Sequence, residues 1–266
     1  MTTLCDLALK ILGTPDAAEK AALSRIAARK WRETPSMEIG EAEPADRPSR
    51  PEKPELISPT EMPRRRGQSE EARATLLHAV LHIELNAIDL AWDMVARFTD
   101  AGFPRRFYDD WVQVGDEEGK HFKLLADRIG EFGFAYGDFP AHDGLWEAAY
   151  STRHDVVARL AVVPMVLEAR GLDVTPGMIK RFAKIGDNAS ADILKIILEE
   201  EIGHVATGNR WFHFCCEKSG IDPKKHWQEM VRKNFKGLLK PPFNEDARGQ
   251  ADFPSDYYIP LSETYR

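Results

Sequence analysis

The 266-residue sequence contains only three cysteines, too few for a disulfide framework in a chain of this length. Cys215 and Cys216 are adjacent, and we interpret them as reduced thiols on one helix rather than as a strained bridge. No apolar run reaches the ~18 residues that a membrane-spanning helix needs. Segment 1–13 carries Asp6 and Lys10 inside its apolar patch and lacks a cleavage site, so we expect no signal peptide. These absences predict a soluble, cytoplasmic protein without a membrane partner.

The sequence also lacks the excess of basic residues that accompanies general nucleic-acid binding. Its net charge is −7, so we do not expect a nucleic-acid partner. Neither a Gly-x-Gly-x-x-Gly loop nor a Walker-type phosphate loop occurs, which removes the common nucleotide-dependent enzyme classes. Hydrophobic residues make up 43% of the chain, enough for a sizeable core in one medium domain with appendages, or in at most two domains.

Two Glu-x-x-His pairs are present. Glu118 precedes His121, and Glu201 precedes His204, each by three positions. On a helix this spacing puts both side chains on one face, about a turn apart. A carboxylate and an imidazole placed in this way can bind one transition-metal ion together. A single pair is weak evidence because both residue types are common, whereas a repeated pair is much stronger.

A lone glutamate precedes each pair at a nearly equal distance. Glu84 lies 34 residues before Glu118, and Glu168 lies 33 residues before Glu201, an interval that a helix of about 20 residues and a turn would fill. Both lone glutamates fall within apolar helical stripes, where an unpaired charge costs several kcal/mol unless a cation is present. The sequence therefore predicts the metal ligands of a four-helix carboxylate bundle: Glu84, Glu118, His121, Glu168, Glu201 and His204.

The type of metal follows from these ligands. Four carboxylates and two imidazoles suit two iron ions, with manganese as the alternative. The four carboxylates carry four negative charges, which balance two divalent cations. The absence of a thiolate from the set disfavours zinc as the native metal.

The predicted fold is all-α and has four segments. They are an N-terminal helical hairpin (1–32), a Pro-rich extended arm (33–69), a four-helix bundle (70–218) and a C-terminal helix with a coil tail that wraps the bundle (219–266). The bundle helices are predicted at 70–99, 107–132, 145–171 and 189–218. Thr175-Pro176 predicts the start of a separate short helix, and we interpret the basic cluster at 64–66 as a solvated face.

Two connections have more than one interpretation. Seven prolines interrupt the arm, which suits a flexible linker and an ordered extended segment about equally. The aromatic loop 133–144 is either a lid or a packed connection, of which we favour the packed connection. We interpret the neighbouring His78 and His82 as residues that hydrogen-bond to their surroundings rather than as metal ligands.

Several residues near the candidate ligands carry further expectations. Gly119 either relieves crowding within its motif or permits a local bulge. Pro164 predicts a kink in its helix. Asp89 and Asp192 are candidates for hydrogen bonding to a ligand histidine, and Arg170 is a candidate for pairing, from beyond the metal's own ligands, with a ligand carboxylate.

Beyond the ligand pattern, the chain resembles the bacterial DUF455 family, which is a ferritin-like family. Four stretches carry the resemblance: His78–Leu90, Phe107–Trp111, Val163–Asp173 and His204–Phe212. It covers most of the chain and includes the Pro-rich arm. The resemblance implies a ferritin-like di-iron carboxylate bundle with a dinuclear metal site, and it implies no particular reaction.

The ligand set and the resemblance favour a di-iron or manganese–iron oxidoreductase that activates O2 to oxidise or hydroxylate an unknown small organic substrate. The alternatives are a ferroxidase or iron-handling protein and a non-catalytic metal-binding bundle. A radical role, as in the small subunit of ribonucleotide reductase, implies a tyrosine about one turn after the first Glu-x-x-His. That position here is Leu125, so we do not expect this role. A homodimer remains an open expectation.

Overall fold

The computed structural model describes residues 2–62 and 67–262. These residues form helices and coil without a β-strand, apart from two isolated bridges, so the all-α expectation is confirmed for them. The basic cluster at 64–66 and the end of the tail at 263–266 lie outside the described residues. The chain divides into two compact units, Met1–Glu147 and Ala148–Arg266.

The first unit begins with the predicted helical hairpin, formed by α1 (Leu4–Leu12) and α2 (Ala17–Glu33). Thr3 and Asp6 form a capping box that starts α1, and the Asp16 side chain accepts a hydrogen bond from Glu19 N at the start of α2. Both helices pack against the long helices that follow them in this unit. The hairpin is therefore an integral part of the first unit.

Two long helices, α3 (Glu70–Arg97) and α4 (Arg105–Glu131), pack along each other in the first unit. Helix α3 is buried on nearly all sides over its second half. Within the described residues it is the one helix long and apolar enough to cross a bilayer, and 83% of its most apolar 18-residue window is buried inside the protein. That burial makes α3 a core helix of the first unit.

The Pro-rich arm is ordered along the first unit. Its backbone carbonyls at Glu38 and Ile39 accept hydrogen bonds from the first turn of α1, and Ser49 N donates to Leu12 O. Farther along, the arm pairs with the 133–143 loop through the parallel bridge between Leu56 and Ala141. These hydrogen bonds and the bridge hold the described part of the arm as an extended segment along the first unit.

The third predicted helix, at 145–171, is interrupted. The chain forms α5 (Gly144–Ser151), a turn, and α6 (Val156–Val162). The break occurs because the Asp155 side chain accepts hydrogen bonds from Val157 N and Ala158 N and so starts a new helix. A π-helical stretch (Val163–Glu168), which we call the π segment, follows α6 where Pro164 predicted a kink.

Helix α7 (Ala169–Lys184) continues directly from the π segment. The expectation that Thr175-Pro176 starts a separate helix is wrong, since Pro176 lies inside α7. The buried side chains of Leu172, Thr175 and Phe182 lie on this helix, which packs against α8. Tertiary packing therefore outweighs the hydrogen bond that Pro176 cannot donate.

Helix α8 (Asn188–Ser219) is the longest helix of the second unit and matches its prediction to within one residue at each end. It ends at Gly220, whose φ of +67° is the left-handed conformation that glycine adopts readily. Helix α9 (Pro223–Asn234) follows. The expected coil tail instead contains α10 (Glu245–Gln250) and α11 (Ser255–Tyr258), because Asn244 caps the former and Pro254 precedes the latter.

Candidate metal sites

The first unit brings three of the predicted ligands together in its interior. Glu84 projects from α3, and Glu118 and His121 project from α4. Each offers one ligand atom, and these atoms lie within 4.8 Å of one another. All three side chains are almost completely buried. We call these three residues the first ligand set.

The hydrogen bonds within the first ligand set centre on His121. Its Nδ1 lies 3.2 Å from Oε2 of Glu84 and 3.4 Å from Oε2 of Glu118. Burial and the nearby Glu118 carboxylate raise the pKa of Glu84 well above its usual value of 4.5. Burial disfavours the charged form of Glu84, and a negative charge on Glu118 repels a second one on Glu84. Two acidic side chains that repel each other in a buried position form a site where a cation is favoured.

Helix α2 packs directly behind this set. A Cβ added to Gly119, between Glu118 and His121, would lie 2.9 Å from Ala21 O and 3.0 Å from Arg25 Cγ. One turn earlier, Ser24 Oγ donates a hydrogen bond to the carbonyl of Gly115. Helix α4 is α-helical throughout, so the bulge interpretation of Gly119 is wrong and the crowding interpretation is correct.

The expectation that Asp89 supports a ligand histidine is wrong. Its Oδ1 accepts from Lys20 Nζ at 2.6 Å, and its Oδ2 accepts from Arg50 Nε at 2.7 Å. Lys20 belongs to α2 and Arg50 to the arm, and Arg50 also bonds Asn86. This buried ion cluster joins the hairpin and the arm to α3, one turn beyond Glu84.

The aromatic loop 133–143 packs on the same helix, as we favoured. His78 Nε2 accepts a hydrogen bond from Gly137 N, and the Tyr136 ring stacks on the His78 ring. His82 Nε2 lies 3.2 Å from His142 O, and a carbonyl can only accept, so Nε2 carries the proton and Nδ1 accepts from Tyr136 OH. The expectation that both histidines bond to their surroundings is confirmed.

The second unit carries the other three predicted ligands on two elements that pack together. Glu201 and His204 lie on α8, with His204 Nδ1 at 3.5 Å from Glu201 Oε1. Glu168 is the last residue of the π segment, which packs against α8. His204 is 1% exposed and Glu168 9%, while the Glu201 side chain is 12% exposed. We call these three residues the second ligand set.

Two expectations about support for the second set are wrong. Asp192 is an exposed residue that pairs with Lys195 on the same helix. Arg170 donates to the carbonyls of Lys240 and Pro242 and approaches Asp173, none of which is a predicted ligand. Helical spacing alone placed both side chains near the ligands, whereas their actual partners come from the exposed helix face and from the tail.

The second set has a feature that sequence reasoning did not recognise. Pro164, one turn before Glu168, faces Gly208, one turn after His204, where the π segment packs tightly on α8. A Cβ added to Gly208 would lie 2.3 Å from Pro164 Cβ. The sequence does show that a proline and a glycine each stand four residues from a candidate ligand. What the sequence lacked was any indication that they face each other.

Comparison with known proteins confirms the resemblance to the DUF455 family. The family described as "Protein of unknown function (DUF455)" matches residues 13–259 of this chain. The chain belongs to this family. A Haemophilus influenzae relative, named only "Uncharacterized protein", is 45% identical over 208 residues, which cover 76% of this chain and 72% of the relative. No solved structure matches.

Proposed function

We propose that this DUF455 protein is a ferritin-like metalloprotein whose two ligand sets hold two metal ions. We further propose that it is a cytoplasmic oxidoreductase that uses O2 to oxidise or hydroxylate a small organic substrate. The observation that carries the proposal is the first ligand set. Three buried carboxylate and imidazole groups converge to within 4.8 Å in the interior of the first unit.

The donor chemistry of both sets fits iron or manganese. Each set offers two carboxylates and one imidazole, and neither contains a thiolate. Burial and the Glu118 carboxylate raise the pKa of Glu84, so a negative charge on Glu84 is disfavoured while no cation is present. A divalent cation would neutralise both carboxylates and so stabilise their charged forms. The two sets together carry four carboxylates, which match the charge of two divalent ions.

The reaction class follows from the same donor set. Two iron ions held by carboxylates supply the two-electron reduction of O2 when they are bound as the divalent ions. The chain's own residues contribute a buried, water-poor environment, since Glu84, Glu118, His121 and His204 are all at most 2% exposed. Such an environment suits oxidation of an organic molecule, because it keeps reactive species from bulk water.

The proposal is tested by loading metal-free full-length protein with Fe(II) under anaerobic conditions. We expect about two iron ions per chain, as in carboxylate bundles with this ligand pattern. Glu118→Ala and Glu201→Ala should each abolish metal binding while leaving most of the helicity measured by circular dichroism. Glu199→Ala is the matched control, because Glu199 is exposed on the same helix as Glu201. Full occupancy in both ligand variants would overturn the proposal.

Exposure of the loaded protein to O2 separates the functional alternatives. A rapid optical change that stops after one equivalent of iron per site supports an oxidase or hydroxylase that awaits its organic substrate. Continued oxidation of many added Fe(II) ions per chain identifies a ferroxidase instead. Stable metal binding without any reaction with O2 identifies a non-catalytic metal-binding protein.

A further inference from the structure

Pro164 and Gly208 make a tight contact between the π segment and α8. A Cβ on Gly208 would lie 2.3 Å from Pro164 Cβ and 2.4 Å from its Cγ, distances that real side chains do not tolerate. Both residues are buried. Only glycine at 208 therefore permits the proline ring to rest against the backbone of α8.

The contact is placed symmetrically with respect to the second ligand set. Pro164 precedes Glu168 by four residues, and Gly208 follows His204 by four residues, so each lies one helical turn from a candidate ligand. The contact therefore joins the two elements one turn away from Glu168 on one element and one turn away from His204 on the other.

The backbone of the π segment connects Pro164 to Glu168 directly. Ala169 N donates a hydrogen bond to Pro164 O, five residues back, so that the wide turn encloses Glu168. Pro164 has no N–H of its own and cannot donate the hydrogen bond that an α-helix would make at this position. A shift of Pro164 is therefore transmitted to Glu168 through the turn that Pro164 itself closes.

We propose that Pro164 and Gly208 are positioning residues whose contact places Glu168 for metal binding together with Glu201 and His204. This inference rests on the proposed function, since it concerns the same metal site. A purely structural contact would affect folding stability when it is disturbed. A positioning contact also changes how tightly, and with what ligand geometry, the metal is held in protein that remains folded.

The test measures Co(II) and Fe(II) binding to metal-free full-length variants, with the visible absorption of Co(II) reporting ligand geometry. Gly208→Ala inserts a methyl group into the contact and should weaken metal binding by about tenfold or more and alter the Co(II) spectrum. Gly203→Ala is the matched control on the same helix. A Cβ at Gly203 meets nothing within 4 Å, so this variant gains the same helix propensity without a clash and should bind like wild type.

Two further variants address folding and rescue. The double variant Gly208→Ala with Pro164→Gly removes the atoms that the new methyl group would meet, and we expect it to recover most of the lost affinity. Pro164→Ala keeps Gly208 but removes the ring and restores an N–H. We expect it to fold and to show an altered Co(II) spectrum, which keeps the proposal testable if Gly208→Ala does not fold.

The outcomes distinguish this inference from the function on which it rests. Wild-type protein that binds no metal refutes the proposed function, and this inference with it. Wild-type protein that binds metal, with Gly208→Ala and Pro164→Ala showing unchanged affinities and spectra, refutes the positioning role alone. Loss in Gly208→Ala with recovery in the double variant supports it.

Discussion

Lys20 Nζ donates a hydrogen bond to Asp89 Oδ1 at 2.6 Å, and neither side chain is exposed to solvent. Lys20 also donates to Ser49 O, and Arg50 donates to the other oxygen of Asp89. One buried carboxylate therefore holds helix α2 and the Pro-rich arm on helix α3. The hairpin and the arm are attached close to the first ligand set, since Asp89 follows Glu84 by five residues.

Replacing Lys20 with methionine should destabilise the protein substantially. Removing one partner of a buried ion pair costs about 3–5 kcal/mol, and we expect the lower end because Asp89 retains Arg50. The measurement is the free energy of unfolding in urea. Lys30→Met is the control, because Lys30 is exposed on the same helix and should change stability by less than about 0.5 kcal/mol. Equal stability of the two variants would show that the pair is not structurally important.

A second prediction concerns the packing of α2 against α4. Gly119→Ala gains helix propensity but meets Ala21 O at 2.9 Å, so we expect a net destabilisation of about 1–3 kcal/mol from overpacking. Gly130→Ala adds the same methyl group to the same helix where nothing lies within 4 Å. It should be neutral or stabilise by up to about 1 kcal/mol. Thermal melting of both variants tests the difference, and a stabilised Gly119→Ala would contradict the observed packing.

The candidate ligands that could be predicted from the sequence are those marked by short-range patterns. Glu84 and the two Glu-x-x-His pairs could be found because helical spacing and apolar stripes are read within a few turns. The structure brings Glu84 together with Glu118 and His121, and it brings Glu201 together with His204. Whether both sets serve one dinuclear site stays a prediction.

The features that sequence reasoning missed depend on distant partners. Lys20 and Asp89 are separated by 69 positions, and the partner of each became visible only in the fold. Pro176 shows the opposite case, in which a strong local start signal was overruled by the packing of α7 on α8. The break before α6 has a local cause, because aspartate is a residue type that commonly caps helices and Asp155 caps α6.

A third prediction concerns the thiols. Burial raises the pKa of Cys5 to about 11, that of Cys215 to about 11 and that of Cys216 to about 12. The reactive thiolate is therefore scarce, and labelling with a disulfide reagent at about pH 8 should be at least about 100-fold slower in native protein than in guanidinium-unfolded protein. Rapid release of three thiol equivalents from the native protein would be incompatible with this burial.

The last prediction uses the pH dependence of Glu84. Its folded-state pKa is raised by burial and by Glu118, so between about pH 4.5 and the folded pKa the folded protein holds a proton that the unfolded chain has released. The stability of metal-free protein should therefore fall as pH rises through this window. Glu84→Gln keeps a neutral side chain at every pH. In the presence of a chelator it should melt a few degrees higher than wild type at alkaline pH, with the difference shrinking toward pH 4.5.

The same substitution should have the opposite effect once metal is added. A cation replaces the proton on Glu84, so metal should raise the melting temperature of wild type more strongly as pH increases, whereas Glu84→Gln should gain little. Glu71→Gln serves as the control, because Glu71 is exposed at the start of the same helix and should behave like wild type in both experiments. A melting-temperature difference between Glu84→Gln and wild type that stays constant from acid to alkaline pH would show that Glu84 does not hold this proton.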